Sequence, residues 1–139
     1  MSLHVLDTDI LSLFQRGHPV VCQCVAATAP ADLAITVITV EEQLSGWYTL
    51  LRSTTRPDQL SIIYQSLADS IPFLAQFTIV SFAEPAMARF DSLVALKLNV
   101  RKMDLRIAAI ALERGATVVA RNVRDFQRIP RLVVEDWTA

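Results

Sequence analysis

Four acidic positions in this sequence have the residue type and placement for joint chemistry. Asp7 and Asp125 each follow a short apolar segment, whereas Asp104 and one of the pair Glu41-Glu42 begin predicted helices. Four carboxylates gathered in one place raise each other's pKa unless a cation neutralises them. Hard cations such as Mg²⁺ prefer carboxylate oxygens, and a bound cation activates water for phosphodiester hydrolysis. The acids therefore predict a metal-dependent hydrolytic site.

Some acidic residues in these segments also have a structural explanation. Thr8 or Asp9 can cap the helix that follows the first apolar segment, and Asp9 needs no other explanation. Asp7 precedes that predicted cap, so capping does not account for it. Glu41 and Glu42 are predicted in the first turn of a helix, where the helix dipole favours acids.

Spacing alone does not choose between Glu41 and Glu42. Gly46 lies four residues after Glu42, which leaves open space on the same face of the predicted helix. A crevice beside a site would require such space, but the helix dipole explains either glutamate equally well.

Basic residues are concentrated in one part of the chain. Residues 97–131 contain nine basic and three acidic side chains, although the whole chain has a net charge of −1. Eleven of the thirteen basic residues are arginine, which makes forked contacts with phosphate. This asymmetry is typical of a polyanion-binding face, with a solvated helix face as the alternative. We assign substrate contacts to Arg106, Arg121 and Arg124.

The elements that must position these side chains alternate between strands and helices. Short apolar segments predict strands within residues 3–6, 33–35, 77–80, 117–120 and 132–134. Amphipathic stretches between them predict an α/β fold with a small central parallel sheet and helices on both faces. The carboxyl ends of parallel strands share one edge of a sheet, so the four acids should meet there.

Two helix ends are predicted from single residues. Gly115 should end the helix that begins near Met103, because glycine adopts the left-handed conformation at low cost. The helix that follows Pro57 is predicted to stop at Ile71-Pro72, with Tyr64 facing the core.

Composition places the chain among compact globular domains. With 139 residues, of which 53% are apolar, it should form one domain with its own core. No apolar run approaches the ~18 residues that a membrane span needs, and no basic region precedes the first acid. We therefore expect a cytoplasmic protein with no membrane contact. Cys22 and Cys24 are expected to be buried, reduced packing residues.

Three stretches resemble the PIN-domain ribonucleases of the VapC type, the toxins of type II toxin–antitoxin pairs. They are LDTDILS at 6–12, ITVEEQLSGW at 38–47 and MDLRIAAIALERGATVVARNVRDFQRIP at 103–130. The resemblance implies one PIN domain over residues 1–139, with an α/β/α fold. It also implies an endoribonuclease that binds RNA, a small antitoxin partner and a homodimer.

The resemblance also implies the residues of the site. Asp7, Glu42, Asp104 and Asp125 would be the catalytic acids and the ligands of Mg²⁺ or Mn²⁺. The family's pattern of Glu followed four residues later by Gly selects Glu42 over Glu41. Asn122, the asparagine of the family's last motif, joins the arginines as a substrate contact.

The sequence departs from the family's pattern at two places. Ala120 stands two residues before Asn122, where the family usually has Thr or Ser. Arg101-Lys102 stands where a glycine is common before the third acid. Because all four acids are present, we expect an active enzyme.

Two other functions remain open at this stage. A phosphatase of the haloacid-dehalogenase type also opens with an apolar strand and DxD, with Asp7 as nucleophile and Asp9 as acid/base. That chemistry needs a downstream lysine, and neither Lys97 nor Lys102 follows a clear strand. A PIN-fold module that binds without cutting is the second alternative, which Ala120 favours.

Overall fold

The computed structural model describes residues 2–139, which contain a five-stranded, wholly parallel sheet in the order β3-β2-β1-β4-β5. The strands are β1 (His4–Leu6), β2 (Leu33–Thr36), β3 (Thr78–Val80), β4 (Thr117–Val119) and β5 (Val133–Glu135). Helices cover both faces, so the predicted α/β class is confirmed.

The helices of residues 2–139 follow the predicted alternation. They are α1 (Thr8–Gln15), α2 (Pro19–Ala27), α3 (Val37–Ser53), α4 (Pro57–Ala75), α5 (Glu84–Ala95), α6 (Lys102–Arg114) and α7 (Val123–Phe126). Gly115 ends α6 with φ 61°, and its backbone N–H donates to α6 carbonyls, as its residue type predicted. A 3₁₀ turn at Pro30–Asp32 leads into β2.

The sheet separates two apolar cores, which follows from the alternation of side chains along each strand. Val5 packs in the α6-side core with Ile107, Phe126 and the buried alanines of α6. Leu6, its neighbour, packs in the α1-side core with Leu11 and Ile35. Both β1 side chains are completely buried, as a central strand of a two-sided sheet requires.

The predicted end of α4 was wrong. The helix passes through Pro72 and ends at Ala75, because its last turn buries Leu74 and places Phe73 against Phe14 and Phe77. These contacts compensate for the backbone donor that Pro72 lacks. Tyr64 was also expected to face the core, but it is 58% exposed.

Two smaller expectations concern the cysteines and the membrane. Cys22 and Cys24 carry free thiols and are half-buried rather than buried. Among residues 2–139, no helix combines the length and the apolar character needed to cross a membrane.

Candidate active site

A pocket of about 330 Å³ opens at the carboxyl edge of the sheet. Its acidic lining consists of Asp7, Asp9, Glu42, Asp104 and Asp125. The four acids selected from the sequence therefore lie together, although four separate segments of the chain carry them. The strand order brings two of them together, because Asp7 and Asp125 follow the neighbouring strands β1 and β4.

Asp7 has a structural role that the sequence analysis did not assign to it. Thr8 and Asp9 were the expected caps of α1, but Asp7 is the N-cap, and its Oδ1 accepts a 2.8 Å hydrogen bond from the Ile10 N–H. Its own N–H donates to the Val119 carbonyl over 2.9 Å, which ties the cap to β4. Because Oδ1 faces the helix, Oδ2 is the oxygen left for another ligand.

Burial raises the pKa of Asp7 to about 7. Desolvation is the largest cause, since the side chain is only 4% exposed. The negative charges of Asp9, Asp104 and Glu42 raise the pKa further, while the hydrogen bond from Ile10 lowers it. A buried carboxylate surrounded by other carboxylates is an environment that a cation would stabilise.

Glu42 lies in the second turn of α3, not in the first as predicted, because the helix already begins at Val37. The helix dipole is therefore a weaker explanation for it. Thr8 Oγ1 donates a 2.7 Å hydrogen bond to Glu42 Oε1 and lies 3.1 Å from Thr39 Oγ1. Glu41 is exposed and does not line the pocket.

Thr8 is a site residue that sequence reasoning missed, because it was considered only as a helix cap. Its hydroxyl joins α1 to α3 and orients the Glu42 carboxylate toward the pocket. The one available signal was its position directly after Asp7.

Arg101 is the second site residue that was missed, since it was noted only as a departure from the family's pattern. Its guanidinium donates to both carboxylate oxygens of Asp104, over 3.1 and 3.3 Å, and to Glu42 Oε2 over 3.3 Å. The hydrogen bond to Asp104 is the main reason that the pKa of Arg101 is raised, so its charge is permanent.

Asp125 lies on α7, a short helix between β4 and β5. Asn122 Nδ2 donates to Asp125 Oδ2 over 2.8 Å, and Arg128 contacts Oδ1 at 3.2 Å. Arg128 also donates to the Asn99 carbonyl over 3.0 Å, which connects α7 to the loop before α6. Phe126, 1% exposed, anchors α7 in the α6-side core.

The predicted substrate contacts occupy different places. Asn122 lines the pocket, whereas Arg106 packs 5.0 Å above the ring of Phe90, next to the Met103 sulfur. Arg121 and Arg124 are exposed outside the pocket lining, without a salt bridge among the described residues. Their roles in binding stay predictions.

The chemistry of the donor set fits a hard divalent cation. Carboxylates and an amide line the pocket, and Mg²⁺ is commonly held by a few carboxylates together with water. Within residues 2–139, however, no three His, Cys, Asp or Glu side chains converge into a preformed metal cluster. Arg101 and Arg128 hold Glu42, Asp104 and Asp125 by ion pairs instead. The Mg²⁺ or Mn²⁺ assignment stays a prediction.

No family model matches the chain. Known proteins nevertheless align with it over nearly its whole length. The plasmid stability protein StbB of Pseudomonas syringae pv. tomato is 30% identical over 141 residues, which cover 97% of this chain and 99% of that protein. Ribonuclease VapC1 of Haemophilus influenzae (strain R2866) is 26% identical over 143 residues, 98% of each chain.

A third relative matches locally. Ribonuclease VapC2 of Rickettsia felis is 33% identical over 69 residues, so the alignment spans about half of its length (52%) and 47% of this chain.

The fold itself is shared with a solved structure. The DNA-bound VapBC of Salmonella typhimurium superposes with a TM-score of 0.79 at 23% identity, covering 99% of both chains. The end-to-end relatives and the common fold lead to one assignment: the chain belongs to the VapC family of PIN-domain proteins.

Proposed function

We propose that this protein is a metal-dependent endoribonuclease and the toxin of a toxin–antitoxin pair. The observation that carries the proposal is the meeting of Asp7, Glu42, Asp104 and Asp125 in one pocket, with the pKa of Asp7 raised to about 7. Relatives named VapC ribonucleases support the reaction class. Metal dependence is supported by the chemistry of the donor set.

Each residue of the pocket has a distinct task in this proposal. A bound Mg²⁺ or Mn²⁺ would lower the pKa of a water molecule and offset the charge of the phosphodiester. Asp7 would offer Oδ2 to the cation while Oδ1 remains in the helix cap. Thr8 holds the Glu42 carboxylate in a single orientation, and Asn122 holds that of Asp125.

The substrate backbone would lie outside the acidic pocket. Arg121 and Arg124 are exposed on either side of Asn122 in sequence, so they can contact phosphates next to the cleaved one. Contacts of this type hold RNA without reading its bases, and they weaken as salt increases.

A matched pair of glutamates provides the test. Purified protein is incubated with RNA in Mg²⁺, Mn²⁺ or EDTA, beside Glu42→Gln and Glu41→Gln. Loss of a carboxylate from the site should slow cleavage by about 100-fold or more in the first variant. Glu41→Gln should cut like the unchanged protein, because Glu41 is exposed outside the pocket. RNA cleavage that persists in EDTA would refute the metal-dependent mechanism.

The partner proposal has its own support. The matching structures include VapBC and FitAB assemblies, and α3 and α4 of this chain expose large apolar side chains. These are Tyr48, Leu50, Ile62, Tyr64 and Ile71. We propose that a small antitoxin covers this surface and that the toxin forms a homodimer.

Co-purification tests the partner surface. Ile62→Asp, at a side chain that is 67% exposed, should abolish capture of the co-expressed product of the neighbouring gene without changing RNA cleavage. Capture at the normal level would place the antitoxin elsewhere. Light scattering of the free protein reports whether it is a dimer.

A silent binding module is the second candidate, for a specific reason. Each of the four carboxylates already accepts a hydrogen bond from a protein donor, and the fully buried Ala120 provides no hydroxyl. Absence of cleavage in the test above, together with absence of Mn²⁺ binding in a calorimetric titration, would favour it. The phosphatase alternative gains no support, because neither Lys97 nor Lys102 lines the pocket.

A further inference from the structure

Arg101 places its positive charge between two acids of the pocket. Its Nη2 atom is 3.3 Å from Glu42 Oε2 and 3.1 Å from Asp104 Oδ1, so one guanidinium spans two acids that are proposed metal ligands. These acids come from α3 and α6, 59 and 3 residues from Arg101 in sequence. A divalent cation held between the same carboxylates would compete with the guanidinium for the same oxygens.

The loop that carries Arg101 supports this placement. Lys97 and Asn99 both have positive φ, 53° and 59°, so the backbone bends sharply before it enters α6. Arg128 holds the Asn99 carbonyl and also contacts Asp125. The loop is thereby connected to Asp125 through Arg128, and it directs Arg101 toward Glu42 and Asp104.

We propose that Arg101 is an internal counter-cation, which a divalent cation must displace from between Glu42 and Asp104 before the site becomes active. The inference rests on the proposed metal-dependent function. It adds that Arg101, a residue of the chain itself, sets the concentration of divalent metal that the site requires.

A divalent cation can replace the Arg101 guanidinium because Arg101 lies at the rim of the acidic pocket. Its side chain is 62% exposed, whereas those of Glu42 and Asp104 are 16% and 15% exposed. The guanidinium can therefore turn into water while the two carboxylates remain in place. Water screens contacts of so exposed an arginine, so the displacement costs little and the metal site remains usable.

Metal binding to the intact chain tests the proposal directly. Mn²⁺ is titrated calorimetrically into the unchanged protein, Arg101→Gln, Arg101→Lys and Arg89→Gln, all freed of metal beforehand. Arg101→Gln should bind Mn²⁺ about fivefold more tightly, equivalent to ~1 kcal/mol, because the competing charge is gone. Arg101→Lys retains the positive charge but not the forked guanidinium, so its Mn²⁺ affinity should lie between those of the unchanged protein and Arg101→Gln.

Arg89→Gln is the matched control. Arg89 forms a 2.8 Å salt bridge with Glu113 outside the acidic pocket, so its loss removes an arginine contact without touching the site. Its Mn²⁺ affinity should equal that of the unchanged protein. Unchanged or weaker affinity in Arg101→Gln, with an intact fold by circular dichroism, would overturn the proposal.

The outcomes separate this inference from the proposed function. RNA cleavage that requires metal, combined with equal Mn²⁺ affinity in all four proteins, would overturn the role of Arg101 and leave the ribonuclease standing. Absence of Mn²⁺ binding in all four proteins would also overturn the role of Arg101. Cleavage assays with and without EDTA would then decide the proposed function on their own.

Discussion

Asp7 combines two requirements in one side chain. One carboxylate oxygen caps α1, and the raised pKa of the group reflects its burial next to other acids. Ser or Asn satisfies a helix cap about as well as Asp does. The choice of Asp at a buried position therefore has a cost in stability that capping alone does not explain.

The cost should appear in the pH dependence of folding. The pKa of Asp7 is about 7 in the folded protein and 3.8 without burial, so between these values the folded state holds a proton that the unfolded chain has lost. The free energy of unfolding should therefore fall as pH rises from about 4 to 7. Asp7→Asn keeps the cap and removes the titration, so above pH 7 it should be more stable by roughly 2–4 kcal/mol.

Urea unfolding of both proteins in EDTA, at pH 4 and pH 8, measures this difference. The stabilisation should be mostly lost at pH 4, where Asp7 is protonated in the folded state and close to its unperturbed pKa of 3.8 in the unfolded chain. Asp9→Asn is the comparison: Asp9 is exposed in the same pocket and its charge is only a secondary cause of the raised pKa of Asp7, so its gain in stability at pH 8 should be much smaller. Equal gains at both pH values would show that the effect does not come from the ionisation of Asp7.

Thr8 donates a hydrogen bond to Glu42, and in the proposed mechanism it positions that carboxylate. Thr8→Val keeps the shape of the side chain but removes the 2.7 Å hydrogen bond to Glu42, so cleavage should slow by about tenfold. Thr8→Ser restores the donor and should recover most of the rate. The loss should fall on kcat and on Mn²⁺ affinity rather than on KM for RNA. A change confined to KM would contradict the positioning role.

At the scale of elements, two glycines should respond in opposite directions to the same change. Gly115 ends α6 with φ 61°, so Gly115→Ala should destabilise the protein by about 1 kcal/mol through backbone strain alone. Gly46 lies inside α3 with open space around it, so Gly46→Ala should stabilise by up to about 1 kcal/mol. Thermal unfolding measures both. Destabilisation by Gly46→Ala would mean that an added methyl group meets an obstacle in α3.

Helices and strands were predictable where a single residue or a short apolar segment determines the type or the end of the element. Gly115 marks the end of α6, and the short apolar segments mark the parallel strands. The continuation of α4 through Pro72 was not predictable, because it depends on the packing of Phe73 and Leu74 in a distant core. Packing of this type overrides a local preference for a helix to stop.

The site was predictable in its acids but not in its connections. Residue type and position predicted Asp7, Asp104 and Asp125, and resemblance selected Glu42. The contacts of Thr8 and Arg101 with Glu42 join residues 34 and 59 positions apart. Such contacts depend on side-chain conformations that form only in the folded chain, so no local pattern indicates them.

At the scale of the whole molecule, the sheet divides the stabilising contacts into two independent sets. Ile107 is buried in the α6-side core and Ile35 in the α1-side core. Loss of one methylene from either residue should cost about 1 kcal/mol. Because the two residues lie in different cores, the double variant Ile35→Val/Ile107→Val should lose the sum of the two single costs to within about 0.5 kcal/mol. Chemical denaturation of the two single variants and the double variant measures this, and a larger discrepancy would indicate coupling through the sheet.

The pairing of β1 with β4 has a consequence for the time at which the site appears. His4 pairs with Thr117 and Leu6 with Val119, so the middle of the sheet joins the earliest strand to one made more than a hundred residues later. A nascent chain on the ribosome carries Asp7 long before Asp125, and it lacks the acidic pocket until β4 and Asp125 have left the exit tunnel. Everything from β1 through Asp125 must therefore be synthesised before the pocket can assemble.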